Sequence, residues 1–314
     1  MKSQKDPLKT IFALVGPTCT NKTGLGIELA KKNPFEIISA DSRLVYKEMD
    51  IGTSKPSKIE MRNVPHYMID IVKPSDSYTV GLYKKESEKI IDDIFSRNKI
   101  PFFVGGTGLY LNSVLSGLSI PEVQPDLSLR EQLKQYSQEE LYKRLKELDL
   151  KASETIHEND NFRTVRALEV IYKTNKLFSE LKEVRDLPFK VVWIGMTYKD
   201  REAHTEKIRS RSERFCKEGF IEEVKNLLLK YGELDLFKRT IGYAETLEFL
   251  KGTLEENKLV ETITFNTRRL LKRQMTWFRA NKSIKWVYLD DLEIDKQFNQ
   301  VSNIIDESLS GSLS

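Results

Sequence analysis

A glycine, a lysine and a hydroxyl stand at the spacing of a phosphate cradle in Gly16-Pro17-Thr18-Cys19-Thr20-Asn21-Lys22-Thr23, directly after the apolar run Ile11–Val15. Between a strand and a helix, such a loop turns backbone N–H groups toward an anion, reaches the phosphates with its lysine and offers a hydroxyl to Mg²⁺. The helix that follows adds its positive end. Asn21 stands where the pattern has its second glycine. Glycine serves at such positions because the backbone takes φ > 0, and Asn is the other residue that visits this region most readily. The loop is therefore altered, not lost, with all eight residues as the expected phosphate-binding set and Thr23 as the metal-side hydroxyl. A tight Gly-Pro turn in an ordinary α/β protein is the competing reading of this stretch alone.

Two further polar groups follow apolar runs. Asp41-Ser42-Arg43-Leu44-Val45-Tyr46 comes after Glu36–Ser39, and Gly105-Gly106-Thr107-Gly108-Leu109-Tyr110 comes after Pro101–Val104. A carboxylate beside a bound phosphate can hold a metal indirectly or act as a base toward an attacking nucleophile; otherwise Asp41 is a cap or turn residue. The glycines of the second turn allow close backbone approach, and Thr107 brings one hydroxyl. Near the C-terminus, Arg269, Lys272 and Arg273 share one helix face at i, i+3, i+4 and are followed by Trp277 and Phe278. Basic residues mixed with aromatics suit a polyanion, although a solvated charged face is the commoner origin of such runs.

Placing these groups together requires strands whose ends converge. Ile11–Val15, Glu36–Ser39, Tyr67–Ile71 and Pro101–Val104 have the pattern of buried parallel strands, and Lys22–Lys31 and Val80–Ser96 that of helices between them. Ile90, Ile91, Ile94 and Phe95 would form the core face of the second helix. The alternation predicts an α/β fold, a P-loop-containing doubly wound parallel sheet with ligands outside the carboxyl ends of its strands. Residues 1–120 and 190–314 are the expected core. Residues 121–189 are the expected helical insertion, opened by Pro121 and Pro125. Within it, Ser137–Glu140 is a capping box ahead of Leu141, Leu145 and Leu148, Asp160 caps a helix whose Val165, Leu168, Ile171 and Tyr172 face a core, and Asn175 takes the αL position at its end. Val191–Met196 returns as a strand. The remainder is expected to be helical, with Asp200–Tyr231 and Thr253–Arg279 as long elements, the latter opened by a Thr253–Glu256 capping box, and with a disordered tail from Ser308.

Composition narrows the class. The chain has 314 residues, enough for a core and a subdomain, and a net charge of only +4. Cys19 and Cys216 lie too far apart in sequence for a zinc spacing or a disulfide framework. Met1–Lys9 is polar with no apolar leader segment, and there is no long apolar stretch. The expectation is a cytoplasmic protein with no membrane segment.

The order and spacing of these elements resemble the bacterial tRNA dimethylallyltransferase, or tRNA isopentenyltransferase, family from the P-loop to about residue 290. The resemblance rests on the loop, Ser39-Ala40-Asp41-Ser42, Met49–Pro56, Val64-Pro65-His66, Ile69-Asp70, the Gly105–Tyr110 turn, Asn159-Asp160 with Arg163, Arg166–Val170, Gly242-Tyr243, Thr267-Arg268-Arg269 and Lys272–Phe278. It implies transfer of a dimethylallyl group from dimethylallyl diphosphate to N6 of the adenosine 3′ of the anticodon, in tRNAs reading codons that begin with U. Asp41, Thr107 and Arg211 would be catalytic. Asp41 takes the N6 proton, Thr107 contacts the base or the diphosphate, and Arg211 stabilises the leaving group. Gly16 to Thr23 would bind the diphosphate, with Mg²⁺ at Thr23 as the cofactor. The tRNA anticodon stem-loop would meet Asp41, Ser42, Arg43, Leu44, Thr107, Arg130, Phe162, Arg163, Thr164, Val165, Arg166, Arg269, Lys272 and Arg273, and the protein would act as a monomer. The extruded adenosine would enter a channel gripped by the insertion and the basic helices.

The chain departs from the family pattern at Asn21, at Leu44 and Phe162 (glutamine positions), at Ala244 (a basic position) and at Asn175 (a glycine position). Phe162 can stack on a base, which is worth about 1–3 kcal/mol. Leu44 has no such substitute, so the expectation is diphosphate binding that survives with reduced affinity and a weakened or altered choice of adenosine, with tRNA discrimination sharpened by Leu44→Gln. Three alternatives stay open from sequence: a tRNA-binding paralogue without catalysis, a small-molecule P-loop kinase, and a transferase using free AMP.

Overall fold

The computed structural model describes residues 9–118, 121, 123–181, 186–290 and 292–310. The first eight residues and the last four, part of the segments read above as a leaderless N-terminus and a disordered tail, lie outside the described residues. In chain order the elements begin β1 (Lys9–Val15), α1 (Lys22–Lys32), β2 (Phe35–Ser39), α2 (Lys58–Met61), β3 (His66–Tyr67), α3 (Val80–Ser96), β4 (Ile100–Gly105) and α4 (Gly108–Leu115). Four helices follow, α5 (Leu127–Leu133), α6 (Gln138–Leu148), α7 (Leu150–Thr155) and α8 (Asn161–Thr174). The chain then runs through β5 (Phe189–Thr197), α9 (Arg201–Lys217), α10 (Phe220–Tyr231), α11 (Asp235–Lys238), α12 (Tyr243–Leu250), α13 (Glu256–Ala280), β6 (Lys285–Tyr288) and α14 (Ile294–Ser310). They form two compact units, Met1–Leu111 with Pro188–Ser314, and Asn112–Leu187.

The first unit is built on a six-stranded sheet in the order β3-β2-β4-β1-β5-β6, with every neighbouring pair parallel. Phe12 and Leu14 of β1 pack with Leu25, Ile27 and Leu29 of α1 and with Val301 and Ile305 of α14. Ile11, Ala13 and Val15 alternate to the opposite face and are equally inaccessible. Both faces are therefore covered, as a parallel sheet requires, and each large side chain removed from water contributes about 2 kcal/mol.

Several expectations change. The strand expected over Tyr67–Ile71 is only His66–Tyr67, because Met68 and Asp70 sit at φ 63° and 54° and turn the chain away. Gly219, at φ 93°, splits Asp200–Tyr231 into α9 and α10. No capping box starts the long basic helix: Thr253 Oγ1 donates to Glu248 O, and the helix begins at Glu256. Lys285–Tyr288, expected to be helical, pairs with β5 as an edge strand. Ser308 belongs to α14 and donates its hydroxyl to Ile304 O.

The second unit packs α5 to α8 around Leu133, Leu141, Leu145, Ala167, Leu168 and Ile171. Its caps follow the sequence: Ser137 and Glu140 form a reciprocal box, Asp160 accepts from Arg163 N at 3.1 Å, and Asn175 ends α8 at φ 53°. Tyr172, expected inside, is exposed. Glu169 is fully buried and accepts from Arg130 at 2.8 and 2.9 Å, from Asp126 N at 2.7 Å and from Arg166. Burial works against its ionisation, but these donors hold the carboxyl below the usual glutamate range. Glu169→Ala should destabilise the protein by about 3 kcal/mol, because it leaves two half-buried guanidiniums without their partner. The shift in the urea midpoint measures this, and the wild-type contribution fades as pH falls through the lowered pKa.

Candidate active site

Three loops leave adjacent sheet ends. Since β4 lies between β2 and β1, the Gly105–Gly108 turn separates the Asp41 loop from the phosphate loop. Asp41 is still close enough for its charge to act on Lys22. All three loops contribute to one cavity of about 410 Å³, which α9, α13 and the Arg239–Gly242 connection complete.

The phosphate loop has the shape its residues imply. Gly16 turns at φ 148°, where a Cβ would lie 2.2 Å from Met196 O, so only glycine passes β5 here. Asn21 caps α1 at φ 55°, ψ 28°, in the left-handed region inferred for the missing glycine. Its amide lies over Gly24, where a Cβ would come within 2.7 Å of Asn21 Oδ1. The nearby glycine thus makes room for the asparagine. Cys19 also adopts φ 62°.

The lysine is folded onto its own loop. Lys22 Nζ donates to Pro17 O at 2.5 Å and to Thr20 Oγ1 at 3.1 Å. Burial pushes its ammonium down to about 8, against the raising field of Asp41 and with further lowering from Arg211. The cationic form attracts a phosphate, so affinity for an anionic substrate should fall as pH rises through about 8. The kcat/KM profile of the free enzyme checks this. Asp41→Asn, which removes a raising field, should move the break to lower pH.

Helix α9 presents two side chains to this loop, seven residues apart. His204, buried, donates from Nε2 to Thr18 O at 2.9 Å and lies against the Tyr198 ring. Burial, with Lys22 adding to it, keeps its pKa below the usual histidine value. Arg211 donates from Nη1 to Thr18 Oγ1, lies 3.6 Å from Cys19 Sγ and stacks over Phe215 at 4.8 Å. Its Nε is buried and makes no hydrogen bond within the protein. A buried guanidinium N–H without a partner is costly and suits an anion seated between α9 and the loop.

Asp41 and Thr107 bring an acidic and a hydroxylic group to the same cavity. Asp41 Oδ1 accepts from Arg43 N at 2.8 Å, the turn role weighed above, while its carboxylate also lines the cavity. Thr107 N donates to Ala40 O at 2.9 Å, and its Oγ1 accepts from Ser42 N at 3.0 Å. The hydroxyl proton is thereby left to point at a ligand. Ile208, Phe215, Ile263, Leu270, Trp277 and Phe278 supply apolar wall. Trp277 packs on Gly108, where a Cβ would meet its indole at 2.2 Å.

Not every residue anticipated for this surface is available. Leu44 is only 6% exposed, so it cannot read a base, and Leu44→Gln would bury an amide instead of restoring a contact. Thr164 is wholly buried and donates to Asp160 O. Arg130 and Arg166 are held by Glu169, and Val165 packs on the second unit's core. Phe162 and Arg163 are exposed on α8. Ser42, Arg43 and Arg273 line the cavity, and Arg269 and Arg273 line an adjoining cleft of about 200 Å³ with Lys238 and Arg239. Lys272 is exposed on α13.

Three residues of the site were not singled out from sequence. Gln274 joins two of the loops, and His204 braces the phosphate loop. Glu223 of α10 accepts from the backbone N–H groups of Asp50, Ile51 and Gly52 at 3.0, 2.7 and 3.3 Å and from the Tyr243 hydroxyl at 2.5 Å, which fixes the cavity wall at Gly52. Only the Gln274 signal was present, as part of the Lys272–Phe278 motif.

The chain matches two family models, "IPP transferase" over residues 44–281 and "Isopentenyl transferase" over residues 9–73. It is 40% identical to a tRNA dimethylallyltransferase of Caldanaerobacter subterraneus over 312 residues, covering 96% of this chain and 98% of the relative. A protein of the same name from Gloeothece citriformis is 40% identical over 300 residues, with 96% and 97% covered. Among solved structures, the tRNA isopentenylpyrophosphate transferase of Bacillus halodurans aligns with TM-score 0.73 at 34% identity, covering 97% and 98% of the two chains. A eukaryotic dimethylallyltransferase acting on tRNA aligns with TM-score 0.82 at 27% identity, covering 96% and 80%.

Proposed function

The chain belongs to the tRNA dimethylallyltransferase family, and from that membership we propose that it moves a dimethylallyl group from dimethylallyl diphosphate to N6 of the adenosine 3′ of the anticodon in tRNAs reading U-initial codons. The observation that carries this is one cavity lined by Thr18 of the phosphate loop and Arg211 together with Asp41 and Thr107. A small-molecule P-loop kinase could use the same carboxylate as a base, but has no need of a helical insertion together with a basic C-terminal helix.

The diphosphate lies in the loop from Gly16 to Thr23. Lys22 turns from its carbonyl partner to the phosphates, and the unpartnered Arg211 Nε gains an acceptor. The adenosine, extruded from its stack, enters from the opposite side. N6 bonds to C1 of the dimethylallyl group as the C1–O bond breaks. Asp41 accepts the N6 proton, while Lys22 and Arg211 balance the charge growing on the departing diphosphate. Thr107 donates its hydroxyl proton to the base or to the diphosphate.

Thr23 offers Mg²⁺ one hydroxyl, and no group of three His, Cys, Asp or Glu side chains among the described residues could hold a metal. That donor set fits an ion carried by the diphosphate itself, with Thr23 as one protein ligand. When bound, it would neutralise leaving-group charge.

Exposed Phe162 and Arg163, together with Arg269, Lys272 and Arg273, are the residues proposed to meet the anticodon stem-loop. Charge reversal at Arg269 and Lys272 should weaken tRNA binding and make its salt dependence shallower, because fewer phosphates are neutralised. Filter binding across a salt series measures this, and an unchanged slope assigns both to a solvated face. The activity is tested with purified protein, Mg²⁺, dimethylallyl diphosphate and unmodified tRNAs reading U-initial codons. N6-dimethylallyladenosine after nucleoside digestion is the expected product; tight tRNA binding without it would favour a paralogue lacking the chemistry.

A further inference from the structure

We infer that Gln274 is a positioning residue whose side-chain amide bridges the phosphate loop and the Gly105–Gly108 turn, and so sets the spacing between the donor and acceptor halves of the cavity. This deepens the proposed transfer reaction and rests on it. The parallel ladder between β1 and β4 ends at Val15 opposite Gly105. Past that point no ladder pair joins the two backbones. Gln274 fills the gap: its Oε1 accepts from Thr18 N at 3.0 Å, and its Nε2 donates to Gly106 O at 3.0 Å. One acceptor and one donor on a planar group imitate an inserted peptide unit, a pairing that neither glutamate nor methionine provides.

The surroundings are shaped for this amide. A Cβ at Gly106 would come within 2.6 Å of Gln274 Nε2 and 3.1 Å of Gly16 O, so a side chain there would push the bridge apart. Thr18 is held at three atoms, its N–H by Gln274, its carbonyl by His204 and its hydroxyl by Arg211. From Gly106 the connection continues through Thr107, whose hydroxyl holds Ser42 N beside Asp41. A continuous series of bonds thus runs from the leaving-group side to the proton acceptor, with Gln274 as its only side-chain amide.

The test compares the full-length wild type with Gln274→Met, Gln274→Glu, Gly106→Ala and the Gln274→Met/Gly106→Ala double variant. Loss of the bridge misplaces the reacting groups, so kcat should fall about 100-fold in each single variant while tRNA affinity stays close to wild type. The double variant should be no slower than the slower single variant, because both changes cut one bridge. Wild-type kcat in Gln274→Met, a loss confined to tRNA affinity, or multiplicative effects in the double variant would each overturn the assignment. Hydrogen exchange at the Thr18 amide reads the bond without turnover: it should accelerate in Gln274→Met at unchanged melting temperature, and unchanged exchange would overturn the bridge. If the wild type forms no product, the reaction assigned above fails while the exchange result still decides the role of Gln274.

Discussion

Asp41→Asn should lower the turnover number by about 10²- to 10⁴-fold, the range spanned by a positioned general base, while tRNA binding stays close to wild type. Asparagine is the informative replacement because Asp41 has two jobs. Its Oδ1 accepts from Arg43 N at 2.8 Å, and an amide oxygen can keep that turn bond and with it the shape of the loop. What asparagine cannot do is accept a proton from N6. Single-turnover formation of N6-dimethylallyladenosine measures the rate, and retention of labelled tRNA on filters measures binding. Turnover near the wild-type rate would remove Asp41 from the role of base and leave it as a turn residue.

Arg211→Gln should cost about 10²- to 10³-fold, concentrated in kcat, because the charge it meets develops as the diphosphate departs. The guanidinium already touches Thr18 Oγ1 and stacks on Phe215, so the group is held in place before any substrate arrives. Its free Nε, buried and without a partner, is the donor a new phosphate oxygen would reach. Steady-state kinetics in the diphosphate substrate separates the possibilities. A raised KM at constant kcat would show that Arg211 binds the ground state and the transition state equally, and so supplies affinity but no acceleration. The Lys22 break near pH 8 provides a control, since glutamine at 211 removes a lowering field and should shift that break upward.

Much of this architecture is local information. The strand–loop–helix unit at Ile11–Lys31 needs only short-range rules: a β-rich apolar run, a glycine turn and a helix entered through a left-handed residue. The left-handed conformation at both Asn21 and Asn175 followed from the same reasoning about φ > 0, and both residues adopt it. The Ser137–Glu140 box and the Asp160 cap likewise depend on residues three apart. The misplaced elements are those where position decides: Lys285–Tyr288 is a strand because β5 offers it an edge, and Thr253 is not a cap because a carbonyl of the preceding helix takes its hydroxyl.

The site divides along the same line. By itself, the sequence determined which chemistry is present: a cationic phosphate loop, a carboxylate, a hydroxyl and a basic helix, in an order that identified the family. These are properties of residue type and short spacing. Only the tertiary structure decided who meets whom. It showed that β4 comes between β2 and β1, that Leu44 and Thr164 face the interior, and that Arg130 and Arg166 are held by Glu169. It also brought His204, Arg211 and Gln274 onto Thr18 from 186, 193 and 256 residues away. No pattern of spacing encodes those contacts, because they depend on how the sheet is ordered and on which helix faces its packing turns inward.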